Sequence, residues 1–185
     1  MKTRDVVIFS GKKFKVPQGI QRIDHRATHG WQLRYGGTKL FSDGSQDGSG
    51  AAASLKLATE ELFKRIAKLP APSRLQTIPN ENKTTDLPVG ISGPIVRLRP
   101  GAKVRECNLS VSLPRFGAIP RRSTIYIGNE NTYTEQRFRT ALERAIRLRD
   151  EAEKTYRREA TRAKRAGALS MIDRQQGRRA ASATR

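Results

Sequence analysis

In 185 residues, 37 Lys and Arg stand against 17 Asp and Glu, a formal net charge of +20. An imbalance of that size points to a polyanionic partner and exceeds what solubility alone requires. The single cysteine, Cys107, excludes an internal disulfide, and no run approaches the roughly 18 apolar residues of a membrane span. A soluble cytoplasmic protein, not associated with a membrane, is therefore expected.

Residues 1–18 form a basic N-terminal arm, with Lys2, Arg4, Lys12, Lys13 and Lys15 against Asp5. Residues 6–9 suit a short strand and are too few for the core of a signal peptide. Gly11 and Pro17 make the rest a loop. Two roles fit the arm: a solvated surface, or a segment lying along phosphates.

Residues 19–69 read as a first unit of three strands and a helix. Residues 19–23 suit a strand, and 24–30 a polar loop. Trp31, Leu33 and Tyr35 then alternate with Gln32 and Arg34, the pattern of a strand with one apolar face. Gly36-Gly37 signals a hairpin turn. Residues 38–42 return as a third strand, read with Leu40 inward and Lys39 and Phe41 outward. After a Gly/Ser/Asp-rich loop, Leu55, Ala58, Leu62, Ile66 and Leu69 recur at helical spacing until Pro70. Residues 70–89 hold Pro70, Pro72, Pro79 and Pro88 without periodicity and read as a linker.

Residues 90–160 repeat the order. Val96 and Leu98 are read inward, Arg97 and Arg99 outward. Cys107, Leu109, Val111 and Leu113 alternate with Asn108, Ser110 and Ser112. A long turn, 114–120, holds Arg115 and Phe116. A third strand sets Ile125 and Ile127 on one face, and Arg122, Thr124 and Tyr126 on the other. Thr132 and Glu135 have capping-box spacing. Phe138, Leu142, Ala145, Leu148, Ala152 and Tyr156 then recur as a helical stripe. The implied fold is α+β: two small units, each a three-stranded antiparallel sheet packed on one C-terminal helix, the second helix long. Residues 161–185 read as a basic helix end, interrupted near Gly167, and a tail. From residue 175 the tail lacks the apolar side chains that offset ordering entropy, so disorder is expected there.

Each sheet commits one face to its helix, and the other face carries the functional question. In the second unit that face holds Arg97, Arg99, Asn108, Ser110, Ser112, Arg122, Thr124 and Tyr126, with no acidic residue unless Glu106 falls at its edge. In the first it holds Gln32, Arg34, Lys39 and Phe41, with Gln21 or Arg22 according to whether the first strand is bulged. Arginine can pair bidentately with guanine, and Asn and Gln with adenine. Arginines and hydroxyls also reach phosphate oxygens. The candidate DNA-binding residues are Arg22, Gln32, Arg34, Lys39, Arg97, Arg99, Arg115, Arg122 and Tyr126.

The residues Gly19-Ile20-Gln21-Arg22-Ile23-Asp24, His29-Gly30-Trp31-Gln32-Leu33-Arg34 and Phe41-Ser42-Asp43 carry a resemblance, as do Gly90-Ile91-Ser92 and Tyr126-Ile127-Gly128 with the helix beyond Thr132. Together they resemble the AP2/ERF-type DNA-binding domain in its bacterial and phage form. The resemblance implies a sheet lying in the major groove. It places Tyr126 where many members carry a DNA-contacting aromatic, Gln32 and Arg34 at outward positions of strand two, and Arg22 in the segment where members cluster arginine. The second unit departs from the pattern at Gly93-Pro94, in its longer turn, and in the Asn and Ser of its second strand.

No catalytic constellation is visible. His25 and His29 beside Asp24 lack further ligands for a metal. Gly48-Ser49-Gly50 lacks the Gly-Lys-Ser/Thr ending of a nucleotide loop. The expectation is a non-enzymatic protein without metal or cofactor that binds double-stranded DNA as a transcription regulator or architectural factor. The alternative is an RNA- or ribosome-associated basic protein whose tail folds between phosphates.

Overall fold

A computed structural model of the chain describes residues 1–26 and 28–183. In chain order the elements are β1 (Thr3–Val7), β2 (Lys13–Pro17), β3 (Ile20–His25), β4 (Thr28–Arg34), β5 (Thr38–Ser42), α1 (Ala51–Lys68), β6 (Ile91–Arg97), β7 (Glu106–Leu113), β8 (Arg121–Asn129) and α2 (Glu135–Ala183). The fold is α+β, with two three-stranded antiparallel sheets, β3-β4-β5 and β6-β7-β8, and a two-stranded sheet, β1-β2. Two compact units emerge: Met1–Pro72 with the chain from Thr161 onward, and Ser73–Ala160. Among the described residues no helix is long and apolar enough to cross a membrane.

In the first unit, Ile20 pairs with Leu33, and Trp31 pairs with Arg22 on one side and Phe41 on the other. Cross-strand partners share a face, so Ile20, Trp31 and Leu33 line one side, and all are buried. Against them α1 lays a stripe of Ala51, Ala58, Leu62 and Ile66. The indole Nε1 of Trp31 donates to the Ala51 carbonyl at 2.8 Å. That bond satisfies the one polar group of a buried indole and ties β4 to the first turn of α1.

Residues 1–18 are not a free arm. β1 and β2 form a hairpin in which Arg4 faces Val16 and Val6 faces Phe14. Its apolar side, with Ile8 and Val16 buried, joins the core of the first unit. The Phe14 ring meets Trp31 edge-on, with centroids 5.7 Å apart. A row of Val6, Phe14 and Val16 is too apolar to remain in water, which is why the segment docks.

The end of α2 also departs from expectation. It stays helical through Ala183, where the composition implies a disordered tail from residue 175; Thr184 and Arg185 lie outside the described residues. Gly167 does not break the helix. A Cβ there would stand 2.9 Å from the Met1 nitrogen, and the Met1 ammonium donates to the Gly167 carbonyl at 3.3 Å. Small residues let the helix approach closely, and Ala168 is buried in the first-unit core. Arg165 Nε donates to the Ile66 carbonyl at 3.3 Å, and Thr161 Oγ1 accepts from the Ala71 amide at 3.0 Å.

In the second unit, Ile91 pairs with Val111 and Leu109 with Ile125. With Cys107 and Ile127 they bury against Ala141 and Ala145 of α2. Burial pushes the Cys107 thiol pKa above its ordinary value. Arg149, also buried, donates to the Ser112 carbonyl and pairs with Glu153 at 3.0 Å. Gly90, at φ +80°, leaves the room that its guanidinium occupies. The helix starts two residues beyond the capping-box expectation. Thr134 Oγ1 accepts the Arg137 amide at 3.2 Å, while Thr132 closes the preceding turn on Asn129. Leu87, from the proline-rich stretch, packs against this core.

Gly30 is the tightest backbone position in the first sheet: a Cβ there would lie 2.3 Å from the Phe41 carbonyl oxygen. Gly30→Ala is expected to lower the stability of this unit by about 2–3 kcal/mol. Urea unfolding followed by the fluorescence of Trp31, the only tryptophan, measures it.

Candidate nucleic-acid interface

The second sheet turns one face away from α2, and the pairing defines it row by row. Ser92, Ser110 and Thr124 form one row, Ile95, Asn108 and Tyr126 the next, and Ser112 with Arg122 a third. Arg122, Thr124 and Tyr126 are exposed, Tyr126 by 51 %, whereas Asn108 is nearly covered. No Asp or Glu occurs from residue 107 to 129. Arg97 pairs across the ladder with Glu106, and Arg99 meets the same carboxylate at 2.8 Å, so both stand beside an acid at one end. Arg115 lies in the β7–β8 connection, off the sheet face, next to Phe116, whose ring meets Tyr156 edge-on at 5.7 Å. Val96 and Leu98, read as inward, are 57 % and 59 % exposed. A register shift between Ser92 and Ile95, at Gly93-Pro94, separates the end of β6 from the core row begun by Ile91.

On the first sheet the free face carries Gln21, Gln32 and Leu40 in one row, and Arg34 with Thr38 in another. Arg34 is exposed, and its Nε donates to Gln32 Oε1 at 2.5 Å. This bond holds the guanidinium in one orientation. Gln32 and Arg34 thus share the outward face, but Lys39 and Phe41 do not. Phe41 pairs with Trp31 and packs on the core, and Lys39 sits over the Phe41 ring at 5.1 Å on the same helix-facing side. Leu40 is the outward residue, 43 % exposed. Two adjacent apolar residues, Leu40 and Phe41, satisfy either parity in the sequence. The larger gain from burying the aromatic beside Trp31 decides between them.

No family model, curated protein or solved structure matches the chain.

Arg22 is the clearest correction. It shares the inner side with Trp31, its guanidinium 4.9 Å from the ring centroid, and its side chain is only 6 % exposed. Its two terminal nitrogens donate to Asp43 Oδ1 and Oδ2 at 3.0 and 2.6 Å, and Nε donates to Asp24 at 2.9 Å. Asp43, wholly buried, also accepts Ser54 Oγ at 2.6 Å, and Asp24 pairs with His29 Nδ1 at 3.0 Å. Phe9 stacks on His29 with centroids 4.3 Å apart. This network ties β3 to the end of β5 and to α1, and leaves Arg22 few donors for a ligand. The partner carboxylates lie at distant sequence positions, so the pairing has no local signature. Burial works to raise the Asp24 pKa, but hydrogen bonds from Arg22 and His29, with the charge of Arg22, outweigh it and hold the carboxyl below its ordinary value.

Arg22→Gln is expected to act on folding, lowering first-unit stability by about 3 kcal/mol because Asp43 is left buried and unpaired. Urea unfolding measures it, and a residue serving only in binding would leave the midpoint unchanged. The depressed Asp24 pKa sets an acid limb. Its stabilising contribution is complete above the ordinary value of 3.8 and is lost as the pH falls through the lower folded value. Unfolding midpoints taken between about pH 6 and about pH 2 should drop at the acid end, and Asp24→Asn should flatten that drop.

Proposed function

We propose that the chain is a non-enzymatic protein that binds double-stranded DNA through the free faces of its two sheets, as a transcription regulator or architectural factor. The observation that carries this is the exposed outer row of β8, Arg122, Thr124 and Tyr126, on a face without an acidic residue between positions 107 and 129. A pleated surface of Arg, Ser, Thr and Tyr supplies donors to phosphate and sugar oxygens. The oriented Gln32–Arg34 pair of the first sheet supplies a second group suited to base edges. The net charge of +20 adds a salt-sensitive, sequence-independent attraction.

The resemblance to the AP2/ERF-type domain points the same way, because that family reads the major groove with a sheet. Duplex DNA also suits the geometry better than duplex RNA. Its major groove admits a β-ribbon, whereas the A-form major groove is too narrow for side chains to read. Association with the nucleoid would follow from such binding.

The test is selection from random duplexes at two salt concentrations, with the wild type, Arg34→Ala and Tyr126→Ala. A defined motif is expected, relaxed at one position in Arg34→Ala with a loss of about 1–3 kcal/mol for the preferred site. Binding that is uniform, abolished by salt and indifferent to both substitutions would sink the proposal.

A further inference from the structure

The β1–β2 hairpin does more than complete a core. Arg4 faces Val16, on the side that also carries Val6 and Phe14. Its stem therefore extends the docked apolar row, and its head reaches the outer edge of β3. There Nη2 donates to the Ile20 carbonyl at 3.3 Å, and nearby the Gln18 amide donates to the Lys2 carbonyl at 3.0 Å. Among the described residues β3 pairs only with β4, so Arg4 covers a carbonyl on an open strand edge.

A cleft of about 410 Å³ opens at this edge, lined among others by Lys2, Arg4, Gln18, Gln21 and Arg34. Lys2, Arg4 and Arg34 are among the residues that line it, and among the described residues no carboxylate does. Asp5, the one acid of the hairpin, is held by Lys13 at 3.2 Å. Each guanidinium has more donors than its bond to Ile20 or Gln32 uses. Like charges gathered without a counter-charge repel one another, and an anion relieves that repulsion while accepting the spare N–H groups. Gln21 and Arg34 also belong to the free face of the first sheet, in or beside the row of Gln32. Cleft and face are therefore one continuous surface.

We propose that this cleft seats one backbone phosphate of the duplex lying on the first sheet, so that the hairpin is a phosphate clamp fixing the DNA against the sheet. This rests on the DNA-binding reading and adds a division of labour. Arg4 and Lys2 contribute affinity without sequence information, whereas Arg34 faces both phosphate and bases.

The experiment measures binding of the full chain to a selected duplex and to a scrambled one across a range of salt. Arg4→Gln, Lys2→Gln and a control outside the cleft, Lys68→Gln, are compared with the wild type, after thermal melting has shown each variant folded. Arg4→Gln is expected to weaken both duplexes about equally, by roughly 5–10-fold, and to reduce the slope of log K against log salt by about 1. Lys68→Gln should do neither, and Arg4→Lys should restore the slope. A duplex series with a single neutral methylphosphonate then locates the phosphate: one position should weaken the wild type and leave Arg4→Gln unaffected. If Arg4→Gln behaves as Lys68→Gln does, or if no such position exists, the clamp is wrong while DNA binding stands. If the wild type binds no duplex, both fall.

Discussion

Trp31 sets the parity of the first sheet. Its ring occupies the helix side, its N–H is taken by the Ala51 carbonyl, and its cross-strand partners are Arg22 and Phe41. Since side chains alternate, fixing one residue of β4 fixes which residues of β3 and β5 turn outward. Arg22 is buried on the helix side by that choice, Lys39 falls on the same side while staying exposed, and Gln21, Gln32 and Leu40 are turned outward. The hairpin follows from the same residue, because Phe14 finds its edge-on partner in Trp31.

How the acids are used matters as much as how few there are. Asp24 and Asp43 are taken by Arg22, Glu61 by Arg65, Glu106 by Arg99, and Glu153 by Arg149 and Arg157. The Arg22 pairs brace the helix side of the first sheet and the Glu61 and Glu153 pairs lie within helices, so most of these acids are neutralised away from the outward faces. The outward faces are left with arginine, amides and hydroxyls. The two faces differ in kind. The first offers an Arg–Gln pair and an apolar Leu40; the second offers a field of hydroxyls with one aromatic.

The fold was legible where alternation was unambiguous. In β7, Leu109 and Val111 alternate with Asn108 and Ser110, and in β8 Ile125 and Ile127 alternate with Thr124 and Tyr126, so face and partner could be read from the chain. Legibility failed where two apolar residues stood side by side, as at Leu40 and Phe41, and where a Gly-Pro step shifted the register before Ile95. It failed again for long-range electrostatics: Arg22 has the composition of a ligand contact and the surroundings of a structural brace. It failed too at the C-terminal end, where a composition without core-forming side chains still continues the helix to Ala183. Alanine favours helix in its own right, and Gly167 and Ala168 serve by allowing close approach.

Cys107 has a consequence beyond packing. It is the only thiol of the chain, 8 % exposed in the core of the second unit, and burial disfavours its reactive thiolate. An alkylating dye would therefore wait for that unit to open, and its labelling rate would clock the opening. The fluorescence of Trp31 is tied to the other unit. The chain thus carries one chemical and one optical probe, one per unit, and the independence of their unfolding can be followed without introducing any label site.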